Sequence, residues 1–240
     1  MNKRLLISGA IVLVLAFAFL LTNLDRVEAE NEPGEEQEPI SLESPRGEGP
    51  LSVEEAIYQR QSTRSFSPEA VTKEKLGQLL WSAVGITVDG VTGATRAYPS
   101  AGGINPLSAY VVAGEVEGLE AGIYRYNAEN HSLDKIVEGD FRTPLMEACY
   151  GQQMIAGAPV NIVLAGNLSQ VESRYGEDRG PRYLAMDVGA AGQNIHLQAE
   201  SLELGTVIAG AFHDNQVAEV VQIRDNEMPL YVMPVGHFLQ

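Results

Sequence analysis

Residues 51–240 predict a sheet covered by helices, an α/β or α+β layer, on three observations. Apolar periodicity places helices and strands in an interspersed order with no internal repeat, which suits layers packed on one core. The run 186–212, MDVGAAGQNIHLQAESLELGTVIAGAF, opens as a helix whose Met186, Ala190, Ile195, Leu197, Leu202 and Leu204 are too close-set for a narrow stripe. A helix apolar almost all round belongs in a core or between subunits. Hydrophobic residues make up 45% of the chain, enough for a sizeable interior. Gly205 is expected to stop the long helix as a C′ glycine. Residues 206–212 should follow as a short strand, with Gly210 where bare backbone faces a ligand.

The 240 residues carry 32 acids against 16 bases, a formal net charge of −16. Such a field disfavours nucleic acid, whose phosphates need a basic footprint. It also makes any clustered arginines informative. Cys149 is the only cysteine, so no internal disulfide or cysteine-rich metal site is possible, and a small core residue is expected. The four histidines show no metal-ligand spacing, so no metal site is assigned.

Lys3 and Arg4 precede residues 5–21, in which only Ser8 is polar. Residues 1–30 therefore read as a signal peptide or a membrane anchor through 5–21, with the folded part outside the cytoplasmic membrane. Residues 31–50 are rich in Glu, Pro and Gly and read as an acidic disordered linker. The domain follows at 51–240.

Ser52 with Glu55 forms a capping box, and Val53, Ala56 and Ile57 give the first helix an inner face. Then comes Arg60-Gln-Ser62-Thr-Arg64. In an extended segment positions 60, 62 and 64 project to one side, and two guanidinium forks flanking a hydroxyl suit a phosphate monoester. Thr72 caps a second helix through Leu76, Leu79, Leu80 and Val84, ending at Gly85, with Trp81 in the core. Residues 85–97 read as a loop. Residues 98–106, YPSAGGINP, read as a glycine-rich loop whose prolines fix its shape, leading into a strand from Leu107. A hairpin over 121–137 has His131 exposed in its turn. One or two helices over 142–158, a strand at 160–165, a polar loop with a short helix at 166–180, a helix capped by Asp214, and a closing strand at 230–235 complete the order.

Three of these stretches stand in one order: R-Q-S-T-R, Y-P-S-A-G-G-I-N-P-L, and D-V-G-A-A-G-Q-N-I-H-L-Q-A-E-S-L-E-L-G-T-V-I-A-G-A-F. Together they resemble the flavin-dependent nitroreductase family over residues 51–238. Within it they are similar to the branch containing the azoline dehydrogenases of peptide modification. The resemblance implies an α+β fold, a mixed sheet covered by helices, and a homodimer with FMN at the subunit interface. It implies that Arg60, Ser62 and Arg64 contact the phosphate and ribityl chain. It further implies that Pro99, Ser100, Ala101 and Gly103 form the loop against one face of the ring. Backbone N–H groups of Ile208, Ala209 and Gly210 are then implied at flavin N5 and O4.

This chain has Gly103 where many relatives have an Asn at the ring edge, and it lacks their C-terminal basic residue, with His237 as a substitute candidate. Tyr183, Arg182 and Tyr150 are candidates for the substrate side. The implied activity is ping-pong hydride or electron transfer between a small organic substrate and a donor such as NAD(P)H, with no side-chain acid assigned as catalytic. The rival is a catalytically weak or flavin-free domain that binds a partner at the cell envelope.

Overall fold

The computed structural model describes residues 38–90 and 93–239. The leader at 1–30 and the first part of the linker lie outside the described residues. Among the described residues no helix is long and apolar enough to cross a membrane.

The folded unit starts at Pro39, earlier than the sequence places it. Strand β1 (Ile40–Ser41) pairs antiparallel with β8 (Ser132–Glu138). Ile40 and Leu42 are the reason: they are apolar residues in an acidic stretch and pack against the core. His131 fastens this segment. It is half-buried rather than exposed, its ring bonding Tyr126 Oη and the Glu43 carbonyl, each at 2.8 Å.

Seven strands form one sheet in the order β1-β8-β7-β5-β9-β11-β10. They include β5 (Leu107–Ala113), β7 (Gly122–Asn127), β9 (Val160–Gly166), β10 (Leu204–Thr206) and β11 (Met228–His237). All named pairings in this sheet are antiparallel. The mixed character expected from the sequence enters at the edge, where Ser62 bridges Thr206 in parallel. A separate parallel pair joins β2 (Val71–Thr72) to β6 (Val116–Glu117).

Alternation along β5 feeds two cores. Ala109, Val111 and Ala113 face one cluster, and Tyr110 and Val112 the other. On the first side lie α2 (Lys73–Val84), α5 (Leu168–Tyr175) and α6 (Gly180–Ser201). On the second lie α3 (Arg142–Ala148), α4 (Gln153–Gly157) and α7 (Asp214–Val221). Each fully buried Leu or Ile there contributes about 2 kcal/mol. Cys149 is one of these packing residues; burial pushes its thiol up to about 12. The α+β expectation therefore holds, as two helical layers around one sheet.

Local capping follows the sequence at the first two helices but not at α7, where Asp214 is the first helical residue and the N-cap His213 makes no side-chain cap bond. Ser52 and Glu55 close the box at the start of α1 (Val53–Gln59), and Thr72 accepts from Lys75 N–H at the start of α2. Only Ala56 of the expected inner face of α1 is buried; Val53 and Ile57 are exposed, because α1 meets the domain along one narrow line. Trp81 is half-buried and donates to the Ile86 carbonyl. Residues 85–97 are not a plain loop: β3 (Ile86–Gly90) and β4 (Gly93–Arg96) make a hairpin.

Candidate functional site

The arm at residues 60–64 leaves α1 in an extended path and is held through its backbone. Thr63 N–H donates to the Thr206 carbonyl at 2.9 Å, and Gln61 N–H to Glu200 Oε1 at 3.1 Å. Thr63 turns inward against Gly205, where an added Cβ would lie 2.6 Å from Thr63 Oγ1. Its neighbours Ser62 and Arg64 are exposed, as are Gln61 and Ser65, while Arg60 is half-buried. The side chains of Arg60, Ser62 and Arg64 make no hydrogen bond or ion pair among the described residues. Arg60 stands close to His196 of α6, whose imidazole is pushed down to about 4, first by burial and then by the Arg60 charge. His196 Nδ1 is buried without a partner.

Gly205 does not stop the long helix. The helix ends at Ser201, and Glu203 makes the turn with φ 58°. Gly205 lies inside β10 because Thr63 occupies the space a side chain would need. The expected strand over 206–212 is correspondingly shorter. β10 closes at Thr206, and the chain then touches the sheet through an isolated bridge between Ala209 and Val232. That bridge corrects one assignment: Ala209 N–H donates to the Val232 carbonyl at 2.9 Å, so it is not free for a ligand. The amides of Ile208 and Gly210 make no hydrogen bond among the described residues. Gly210 is exposed, with nothing within 4 Å of an added Cβ. Since Ser62 bridges Thr206, Gly210 lies no more than about 14 Å further along the chain.

The loop at 98–106 is built in the opposite way, through side chains. Asp187, buried on α6, accepts from Ser100 Oγ at 2.9 Å and from Ala101 N–H at 3.1 Å. Ser100 Oγ in turn accepts from Asn105 N–H. The Ser100 hydroxyl is thus engaged inside the loop. Arg174 donates to the Gly102 carbonyl at 2.8 Å. Gly102 and Gly103 adopt φ of 61° and 68°, a left-handed pair that glycine takes without strain. Pro99 and Gly103 are exposed, and Gly103 has open space where a side chain would be.

Asp187 was not singled out by sequence. One carboxylate in an apolar helical run was the available signal, because a buried acid demands donors. Burial raises its pKa, against the lowering effect of the Ser100 and Ala101 hydrogen bonds.

Helix α6 carries all three parts. Asp187 holds the loop, Gly192 abuts Ile208, and His196 neighbours Arg60. At a rise of 1.5 Å per residue, Asp187 and His196 are about 14 Å apart along the axis. Of the substrate-side candidates, Tyr183 stacks on Tyr175 beside this loop at 4.5 Å, and Arg182 is exposed. Tyr150 stacks on His213 at 4.3 Å, three residues beyond Gly210. His237 lies 3.8 Å from Glu69, so it is engaged outside the arm.

The profile of the Nitroreductase family matches residues 57–237. A Methanocaldococcus jannaschii protein named as a nitroreductase is 37% identical over 190 residues, covering 79% of this chain and 93% of its own. The trifolitoxin operon protein TfxC of Rhizobium leguminosarum bv. trifolii is 25% identical, over 76% of this chain and 54% of its own. Among solved structures, a nitroreductase-named protein of Ralstonia eutropha superposes with TM-score 0.72 at 27% identity, over 86% of this chain and 92% of that one. The E. coli microcin synthetase McbBCD complex shares the fold, with TM-score 0.63 at 19% identity, over 88% of this chain and 77% of that one. The fold and these matches define an oxidoreductase-type α+β domain. The chain belongs to the nitroreductase family.

Proposed function

We propose that this chain is an FMN-dependent oxidoreductase that works on a small organic substrate by a ping-pong route. The observation that carries the reading is the free arm. In a chain of net charge −16, Arg60 and Arg64 flank an uncommitted hydroxyl and pair with no carboxylate among the described residues. That donor set fits a phosphate monoester.

FMN, when bound, supplies hydride or electron transfer at its N5. The residues do the rest. Arg60, Arg64 and Ser62 would hold the phosphate end. The amides of Ile208 and Gly210 would donate to the ring edge, with Ala209 serving only to fix that edge against Val232. Pro99, Ser100, Ala101 and Gly103 would supply a wall through backbone and ring carbon, with Asp187 holding its shape. No side-chain acid is needed at the reacting atom.

A homodimer is part of the proposal. Val53, Ile57 and Tyr58 on α1 are 64%, 57% and 92% exposed, and Met186 on α6 is 59% exposed. Apolar surface of this kind on neighbouring helices suits a second copy. The apolar run 5–21 would place the domain outside the cytoplasmic membrane, where NAD(P)H is scarce. The donor would then be another reductant. The resemblance to the azoline-dehydrogenase branch, with the microcin synthetase complex sharing the fold, makes a modified peptide a candidate substrate.

The test is the absorbance of the purified full-length chain. A yellow protein that bleaches with dithionite and reoxidises on adding a quinone or a nitroarene supports the enzyme. A colourless chain that ignores added FMN removes it and favours a flavin-free partner module, the reading that Gly103 and the missing C-terminal base would then explain.

A further inference from the structure

The ladder between β5 and β7 stops at the pair Tyr110–Arg125. Residues 107–109 of β5 continue beside β9, while Tyr126 and Asn127 of β7 continue beside β8, so the two strands part. Leu107 N–H turns to the Tyr98 hydroxyl. A cleft of about 460 Å³ opens between them, with more polar than apolar walls. Arg96, Arg125 and Arg224 line it, with Glu129 and Asp134.

These charges are unevenly satisfied. Arg96 pairs with Glu129 at 3.1 Å. Arg125 is only partly buried; its Nε is enclosed without a hydrogen-bond partner, and its guanidinium makes no ion pair among the described residues. A guanidinium charge on a cleft wall with no carboxylate paired to it is open to an anionic partner. Arg224 is exposed at the rim with its guanidinium unpaired among the described residues. Asp134 sits directly across the β7–β8 ladder from Arg125, yet the two form no ion pair among the described residues.

We infer that this cleft is a second ligand site, distinct from the flavin arm, for a small oxyanion-bearing molecule. The anionic oxygens meet Arg125 and Arg224. The ligand also brings a hydrogen-bond donor to the free Asp134 carboxylate, because a bare dianion would face that charge unaided. A hydroxy-carboxylate or a hydrogen phosphate has both groups. Asn105, which lines the same cleft, is bonded through its N–H to Ser100 of the 98–106 loop.

The experiment is calorimetric titration of the full-length chain carrying Arg60→Gln and Arg64→Gln, which removes the other candidate anion site. The probes are glycolate, acetate and inorganic phosphate. Saturable binding of glycolate or phosphate is expected, with acetate weaker. Arg125→Gln and the rim variant Arg224→Gln should each weaken it about tenfold, the scale of one charged hydrogen bond. The exposed Arg46→Gln should leave it unchanged. The glycolate and phosphate arms tell a carboxylate source from a phosphate source. The inference is overturned if neither probe binds saturably, or if binding is indifferent to both Arg125→Gln and Arg224→Gln. Arg224 lies on the surface, so its variant folds even where Arg125→Gln does not.

Discussion

The arm at 60–64 and the loop at 98–106 sit on the same helix and are built from opposite materials. The arm is fixed by backbone bonds to Thr206 and by an acceptor on α6, which leaves its charged side chains free. The loop is fixed by side chains, Ser100, Asp187 and Arg174, which leaves exposed glycine backbone. A segment that must offer charge keeps its side chains uncommitted. A segment that must offer a flat surface does the reverse.

The largest break in this contrast should come from Arg60→Gln with Arg64→Gln. Losing two charge-assisted contacts should cost roughly 3–6 kcal/mol of FMN affinity, and flavin fluorescence titration reads it. Unchanged affinity would mean that the arm does not hold the phosphate.

Next is the floor beneath the arm. His196 titrates near 4 in the fold, below its usual 6.5. Its contribution to stability is full above about pH 6.5 and is lost as pH falls through about 4. The scale is roughly 2–4 kcal/mol. Denaturant unfolding across that window should show the loss, and His196→Gln should flatten it.

A smaller effect is expected from Gly205→Ala, whose methyl group would drive Thr63 off β10. Stability should fall by roughly 1–3 kcal/mol, with FMN affinity falling too. Adding Thr63→Gly, which also removes the Cβ that would lie 2.7 Å from the new methyl, should recover part of both, a coupling that a double-mutant cycle measures.

Asp187→Asn should be the mildest, at about 1 kcal/mol. Its folded pKa is raised, so the fold binds the proton more readily than the unfolded chain. The stabilising contribution is full below the ordinary carboxylate value of 3.8 and fades as pH rises through the folded value. The Asn variant should lose that acid-side slope in thermal melts and leave FMN affinity nearly intact. A large affinity loss would instead place Asp187 in direct contact with the ligand.

Local signals were the legible ones. The capping residues Ser52 and Thr72, the hairpin of β7 and β8 and the glycine pair each follow from neighbours close in sequence, where sterics and period suffice. The illegible features depend on residues far apart. Thr63 meets Gly205, Asp187 meets Ser100, and Ala209 meets Val232. Sequence reasoning read Gly205 as a helix stop because glycine does that without any partner in view.

The sequence by itself determined the alternation of elements, the apolar content of α6, the charge balance that makes two arginines conspicuous, and the order of three stretches that places the chain in its family. Tertiary structure alone decided which amides at 208–210 stay open, why Gly205 must lack a side chain, and that β5 and β7 part to leave an unpaired guanidinium on a cleft wall. Backbone hydrogen bonds and close approaches are set by whichever strand arrives alongside, and that partner is chosen only when the whole sheet assembles.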